Sequence, residues 1–162
     1  MLSSDRRAFL TLLSALPLAA CGFQPVYGTN GAASALHGRI AYRAPDTVEG
    51  FRLRARLEDR FGRVEQGDYL LTVQLDIREV ALVISSDQDT NRYNLPGKAT
   101  WALTPAGDDT PVAQGIAETF TAYSAFGTTV ATRTAQEDAR DRLAIALADL
   151  IVTDLMAAAG DL

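Results

Sequence analysis

The residue with the most distinctive chemistry in this chain is Cys21, its only cysteine. It follows Leu18-Ala19-Ala20 at the end of an uncharged run from Ala8 to Ala20, and Arg6 and Arg7 stand before this run. A basic start, a short apolar stretch and small residues before a cleavage point are typical of an export signal. A thiol at that point is a site for lipid attachment, so the pattern predicts anchoring chemistry at Cys21.

The sequence Leu18-Ala19-Ala20-Cys21 resembles the lipobox of bacterial lipoproteins, in which the thiol is acylated and the chain is then cut before it. We therefore expect residues 1–20 to be removed and Cys21 to carry a diacylglycerol and an N-acyl chain. An uncleaved or ordinarily cleaved signal peptide is the alternative. A permanent transmembrane helix is not favoured, because the 13 residues from Ala8 to Ala20 span roughly 20 Å, less than the roughly 30 Å core of a bilayer.

The adjacent arginines leave the export route open. Arg6-Arg7-Ala8-Phe9-Leu10 resembles the twin-arginine export motif, which would carry an already folded protein. Asp5 and Thr11 depart from that motif, and a general-secretion signal whose basic residues happen to be adjacent fits equally well.

Composition bounds the chain that would remain after removal of residues 1–20. Its 142 residues carry 13 basic and 19 acidic side chains, a net charge of −6, and are enough for one domain with an apolar core. An acidic domain is not expected to bind nucleic acid, although a local basic patch can still hold one anionic ligand. With its only cysteine acylated, the domain would have no disulfide.

Alternating polarity predicts four strands in this domain. Residues 69–80 alternate most regularly, which is typical of a half-buried antiparallel strand. Pro96-Gly97 predicts a bulge or an edge position in the third strand. The four strands are expected within residues 36–43, 69–80, 90–103 and 112–123.

Apolar residues at helical spacing predict two helices. The first should begin at a capping box formed by Asp46 and Glu49 and end near Gly62. The second should begin at a capping box formed by Thr134 and Glu137 and continue through residues 135–159. The predicted core stripes are Leu53, Leu57, Phe61 and Val64 in the first helix and Leu143, Ile145, Leu147, Leu150, Ile151, Val152 and Leu155 in the second.

The order of these elements, β-α-β-β-β-α, predicts a single α+β domain over residues 36–162, preceded by a lipidated tether over residues 21–35. Its simplest packing is a two-layer sandwich, with a four-stranded, mostly antiparallel sheet and both helices on one face. The other face of the sheet would then be exposed or covered by a partner.

Residues typical of catalytic or metal sites are few, and we expect no enzyme activity. His37 is the only histidine, and the sequence has neither a nucleophile elbow nor a phosphate-binding glycine loop. The spacing of Asp87, Asp89 and Asn91 imitates the start of a calcium loop. Arg92 then replaces the required glycine, so no metal is expected. We interpret the three residues as the polar tip of a hairpin and as a candidate partner contact.

Three basic residues, Arg78, Arg92 and Lys98, lie on the central predicted strands, on the side away from the helices or at its margin. Lys98 is the only lysine of the chain. One interpretation is solvated charges that prevent pairing between sheets. The other is a small patch that binds phosphate groups of an amphiphile, for which arginine offers bidentate contacts.

Several segments together resemble the LptE family of LPS-assembly lipoproteins. The segment Cys21-Gly22-Phe23-Gln24-Pro25-Val26-Tyr27 is similar to the start of the mature family members. The strand Tyr69–Val73, the segment Ala99–Leu103 and the helix segment Asp138–Leu143 are similar as well. The resemblance extends over almost the whole mature chain.

The resemblance implies an outer-membrane lipoprotein, anchored by its acyl chains and facing the periplasm, that plugs the lumen of the LptD β-barrel. The pair would insert lipopolysaccharide into the outer leaflet of the outer membrane. Arg78, Arg92 and Lys98 are then candidates for lipopolysaccharide binding. Gly22, next to the acylated cysteine, is compatible with sorting to the outer membrane.

Two other functions stay open. An auxiliary lipoprotein of a lipid-transporting ABC system also combines a lipobox with a small α+β domain. A periplasmic hydrolase would have to act through His37, which lies beside the tether. Isolation of the protein with its partners would distinguish a barrel plug from an ABC auxiliary protein.

Overall fold

The computed structural model describes residues 32–82, 92–125 and 127–160 of the chain. Its helices are α1, Ala32–Leu36, α2, Val48–Phe61, and α3, Thr129–Ala158. Its strands are β1, Ile40–Arg43, β2, Tyr69–Ile77, β3, Val80–Leu82, β4, Arg92–Pro105, and β5, Ala113–Ser124.

The strands form one sheet in the order β1, β2, β4, β5, and β3 continues the line of β2 beside β4. β1 and β2 are parallel and are connected through α2, whereas β2, β3 and β5 all run antiparallel to β4. The buried residues of the sheet lie on one face, which α2 and α3 cover. The predicted α+β fold with a mostly antiparallel sheet is therefore confirmed, but the described residues form five strands where four were expected.

β2 and β3 are two parts of one line of pairing that is interrupted opposite Pro96. β2 ends opposite Gly97 and β3 begins opposite Asn94, so the register does not shift between them. Arg78 donates its backbone N–H to the Pro96 carbonyl (3.1 Å), but proline has no N–H to return. The bulge or edge position predicted at Pro96-Gly97 is wrong, because this residue pair lies in the central strand β4 and removes one ladder bond without a change of register.

The first predicted strand is shorter than expected because a helical turn precedes it. Residues 36–43 were expected to be extended, but α1 ends at Leu36 and β1 begins only at Ile40. The side chain of Leu36 is 2% exposed and belongs to the core. The tether predicted over residues 21–35 therefore overlaps with α1.

Both long helices begin at a threonine other than the predicted capping residue. The Thr47 Oγ1 atom accepts a hydrogen bond from the Gly50 N–H (3.0 Å), so Thr47 and not Asp46 caps α2. Thr128 caps α3 by accepting from the Ala131 N–H (3.3 Å). α3 thus begins before Thr134, which lies inside the helix. Gly62 ends α2 as predicted.

The core stripes agree with the sequence except at their margins. Leu53, Leu57 and Phe61 are buried in α2, whereas Val64 lies beyond its end and is only partly buried. In α3, Ile145 and Leu150 are each 39% exposed, while the side of the helix toward the sheet is lined by Ala139, Leu143, Ala144, Leu147, Ala148, Ile151, Val152 and Leu155. Within the described residues, no helix combines the length and the apolar character needed to cross a bilayer.

Candidate interaction face of the sheet

The face of the sheet that α2 and α3 do not cover is the strongest candidate for a functional site. We call it the free face. It arises from the period of two in strand geometry, because the alternate residues point into the core. It is formed by the even-numbered residues of β2 to β5 together with Arg78.

A row of charges crosses the centre of the free face. Asp76, Lys98 and Glu118 are direct neighbours on β2, β4 and β5. The Lys98 Nζ atom lies 3.2 Å from Glu118 Oε1. Arg78, one step along from Asp76, places its Nη2 atom 2.6 Å from Asp76 Oδ2. Each of these two cations therefore has a carboxylate partner.

These ion pairs balance the charge of the predicted basic patch. The Arg78 guanidinium donates hydrogen bonds to Asp76 and holds the pKa of this carboxyl below its usual value, and the positive charge of Lys98 acts in the same direction. The same pairing raises the pKa of Arg78. A shallow depression of about 240 Å³ lies among these residues and Pro96. An anionic group that entered it would compete with the two carboxylates.

The structure brings Arg78 and Lys98 together but places Arg92 elsewhere. Arg92 lies opposite Leu82 near the far end of β4. It lies six positions from Lys98 along the same strand, which corresponds to roughly 20 Å. The three predicted basic residues thus do not form one site on the isolated domain.

Exposed apolar side chains are the feature of the free face that the sequence argument missed. Val80 and Leu82 of β3 and Ile116 and Phe120 of β5 are large, apolar and exposed. The sequence of β5 could have predicted them, because an alternation with a period of two that buries Ala117 must expose its neighbours on the other face. The free face is therefore a mixed surface, with a charged row between apolar groups.

A second polar cluster lies on the opposite side of the sheet and ties the helices to it. Arg140 of α3 lies 2.9 Å from Glu49 of α2 and 3.8 Å from Glu79, which stands between β2 and β3. Gln136 donates a hydrogen bond to Glu79 (2.7 Å). Burial and the nearby charge of Glu79 raise the pKa of Tyr123 to about 12. These contacts join three elements, and we interpret the cluster as structural.

The other residues predicted as site candidates contribute little to the functional assignment. Cys21, Asp87, Asp89 and Asn91 lie outside the described residues. His37 is exposed, and its ring lies beside Gly62 at the end of α2. Among residues 32–82, 92–125 and 127–160, no group of three His, Cys, Asp or Glu side chains is arranged to hold a metal ion.

Comparison with known proteins places the fold among bacterial lipoproteins. A predicted lipoprotein from Caulobacter crescentus CB15 has 26% sequence identity and a TM-score of 0.67, and the match covers 81% of this chain and 97% of that one. Rare lipoprotein B from Shewanella oneidensis has 15% identity and a TM-score of 0.61, covering 76% of this chain and 98% of its own. A minor lipoprotein from Acinetobacter baumannii has 16% identity, a TM-score of 0.57 and coverages of 75% and 92%.

No protein-family model matches the sequence, and no curated protein matches it. The likenesses at 15% and 16% identity show a shared fold alone. The chain is thus similar to bacterial lipoproteins in the fold of the domain that follows its lipobox-like sequence.

Proposed function

We propose that this chain is an outer-membrane lipoprotein that acts as the plug subunit of an LptD-like β-barrel. In this role it assists assembly of the barrel and insertion of lipopolysaccharide into the outer leaflet. The observation that carries the proposal is a fold shared with bacterial lipoproteins, on a chain with an acylation motif before that fold. The family resemblance of residues 21–27 and of the later segments supports the choice of partner.

The anchor in this proposal is the lipid on Cys21. A diacylglycerol and an N-acyl chain supply about three acyl tails, and each buried methylene contributes about 0.8 kcal/mol. Such an anchor is effectively permanent. It holds the domain at the periplasmic side of the outer membrane, where the open end of a barrel is within reach.

The free face fits the environment of a barrel lumen. The interiors of large outer-membrane barrels are polar and hydrated. Gln74 and Thr100 lie beside the charged row on the free face, with Thr72 one position further along, and they can exchange hydrogen bonds with a polar wall. The exposed Ile116 and Phe120 give the same face apolar groups for a packed contact. Asp87, Asp89 and Asn91 lie outside the described residues, and as the predicted hairpin tip they are expected to contact the barrel wall or the ligand.

Lipopolysaccharide is the second partner in the proposal. Its phosphate groups would bind Arg78 and Lys98 in the depression on the free face, with Arg92 as a separate contact about 20 Å away. Because Asp76 and Glu118 already pair with the two cations, phosphate binding must release a carboxylate. We therefore expect weak binding by the isolated domain and assign it a binding role without a catalytic step.

Affinity purification of the tagged, acylated chain from outer membranes tests the proposal. We expect a large β-barrel protein to be recovered in near-equal amount and identified by mass spectrometry. A Cys21→Ser variant is the matched control, because it keeps the domain and removes the lipid. Recovery of a substrate-binding protein and an ATPase would contradict the plug and favour an ABC auxiliary lipoprotein. Recovery of the acylated chain alone would also contradict it.

A further inference from the structure

β5 is an edge strand, and the outer backbone groups of its central residues have no partner within the described part of the chain. In a strand the backbone N–H and C=O groups of successive residues point to opposite sides. The even-numbered Pro96 of β4 bonds to Arg78 on the β2 side, so the odd-numbered residues of β4 bond to the odd-numbered residues of β5. The N–H and C=O groups of Gln114, Ile116 and Glu118 therefore point away from the sheet. Only further along is one such carbonyl approached, where Arg142 Nη2 lies 3.5 Å from the Ala122 oxygen.

This edge lacks the usual devices that prevent pairing. Natural edge strands are commonly short, or carry lysine, proline or a bulge. β5 has 12 residues, runs in a constant register with β4, and contains neither lysine nor proline. Its one charged residue, Glu118, is paired with Lys98. The outer edge is thus open to another strand.

Exposed apolar residues follow this edge at a spacing of four. Val112 is 47% exposed, Ile116 is 55% exposed and Phe120 is 68% exposed. All three are even-numbered, so they lie on the side of β5 that belongs to the free face. Gln114 and Glu118 stand between them.

We propose that β5 pairs with β5 of a second copy of this chain, antiparallel and about a two-fold axis at Ile116. This register places Ile116 opposite itself, Val112 opposite Phe120 and Gln114 opposite Glu118. Every exposed apolar residue of the strand then meets another, and the only carboxylate meets an amide. The outward groups of the three central residues form about six backbone hydrogen bonds across the axis.

Neighbouring registers are worse for identifiable reasons. A two-fold axis at Glu118 would place two carboxylates face to face, which is destabilising. An axis at Ala117 would place Ile116 opposite Glu118 and Phe120 opposite Gln114. The pattern of side chains therefore selects one register for self-pairing.

The surface beside β5 on the side of the helices can also contact a second copy of the chain. A groove of about 560 Å³ lies between the start of β5 and the end of α3, and Ala157, Ala158 and Trp101 line it. The buried Nε1 atom of Trp101 has no hydrogen-bond partner among the described residues. Leu150, one turn before the groove residue Asp154, is 39% exposed on this side of α3. A second copy at the edge would bring its own α3 against these residues.

Sedimentation equilibrium of the acylated protein in density-matched detergent tests the proposal. We expect twice the monomer mass for the wild type. Ile116→Lys should give the monomer, because it places two ammonium groups at the axis. Thr100→Lys is the matched control: Thr100 lies directly beside Ile116 on the same face but in the central strand, so this variant should stay dimeric.

Cysteine cross-linking gives an independent readout of the register. Facing residues in a hydrogen-bonded antiparallel pair have Cα atoms about 5.5 Å apart, a distance that a disulfide spans. Ile116→Cys should form a disulfide-linked dimer and Thr100→Cys should not. A monomeric wild type, an Ile116→Lys dimer as stable as the wild type, or a disulfide to a different protein would overturn the proposal. The dimer covers Ile116 and Phe120, which the plug would present to the barrel wall, so the dimer is the state of the chain outside the barrel. The inference rests on β5 and not on the proposed function, so its failure leaves the barrel plug standing.

Discussion

At the scale of single residues, the sequence identified the cations of the free face but not their partners. Alternation along a strand predicts which side chains share a face, so Arg78 and Lys98 could be placed on the side away from the helices. It does not predict which residues of neighbouring strands stand opposite each other. The pairing of Lys98 with Glu118 and the distance to Arg92 depend on that register. The sequence therefore left solvated charges and a basic patch as alternatives, and the structure has a balanced row of two cations and two carboxylates.

Charge variants of this row should change lipopolysaccharide binding in opposite directions. We expect Glu118→Gln to strengthen binding, because it frees the Lys98 ammonium, and Lys98→Gln to weaken it. Each change should be roughly 1.4- to fivefold, since an exposed ion pair contributes about 0.2–1 kcal/mol. Binding to vesicles that contain lipopolysaccharide measures the effect. Glu137→Gln is the control, because Glu137 is equally exposed (65% against 64%) but lies in an ion pair on α3.

Equal binding by all three variants would show that the charged row does not contact the ligand. A gain for Glu137→Gln as large as that for Glu118→Gln would show that net charge, and not position, controls binding.

Replacement of Cys21 should change the location of the protein and leave its fold intact. We expect Cys21→Ser to abolish acylation and to move the chain from the membrane fraction to the soluble periplasmic fraction, since in the proposed function the acyl chains are the anchor. Cell fractionation and the mass of the N-terminal peptide measure this. Continued sedimentation of the variant with membranes, without added lipid mass, would contradict the assigned anchor.

At the scale of elements, period and caps predicted most strands and helices, while their ends depended on contacts that are remote in sequence. β2 agreed with its regular alternation. α3 begins earlier than expected. The β-branched residues around Val130 are poor helix formers, so the sequence favoured a loop there. In the structure the Thr128 side chain caps the helix and the helix includes these residues. α1 was missed because its one turn is too short to show a period. Its Leu36 is held by the core.

The packing of α3 and β5 on β4 depends on glycine at two places. A Cβ atom at Gly97 would lie 2.9 Å from Leu143 Cδ2, and one at Gly115 would lie 2.8 Å from Cζ2 of Trp101. Both distances are shorter than van der Waals contact. The indole is rigid and 3% exposed, so it has little room to move away from Gly115.

Gly115→Ala should therefore destabilise the domain by about 1–3 kcal/mol, the usual effect of an overpacked core. Urea unfolding measures it, and the fluorescence of Trp101, the only tryptophan, reports the displaced ring. Gln114→Ala, at the next and exposed position of the same strand, should change stability by less than about 0.5 kcal/mol. Equal stability of the two variants, with unchanged Trp101 emission, would contradict the close packing.

At the scale of the whole molecule, ion pairs between the two long helices hold one face of the sandwich together. Arg56 of α2 donates to both oxygens of Asp149 of α3, at 2.9 and 3.1 Å, and these bonds lower the pKa of Asp149. Partial burial acts to raise the pKa of Glu49, but its own backbone amide and Arg140 outweigh this and hold it below the usual value. Both carboxylates are thus favoured in their charged form by folding.

Stability should accordingly fall in acid. A carboxyl whose folded-state pKa is lowered contributes stability above its unfolded value, about 4, and loses it as the pH falls through the folded-state pKa. We expect Asp149→Asn to lower the free energy of unfolding by about 1 kcal/mol at neutral pH, a modest value because the Asp149 side chain is 40% exposed. The difference from the wild type should shrink as the pH falls below about 4 and through the lowered pKa of Asp149. Asp138→Asn, which affects only a pair within α3, is the control.

A difference between Asp149→Asn and the wild type that stayed constant from pH 7 to about pH 2 would show that packing, and not the charge of Asp149, is the cause.

The most direct test of the central claim is to deplete this chain from growing cells and to measure lipopolysaccharide at the cell surface. We predict that surface lipopolysaccharide and the amount of folded LptD-like barrel fall together, and that wild-type protein but not Cys21→Ser restores both. Unchanged surface lipopolysaccharide and unchanged barrel in depleted cells would contradict the account.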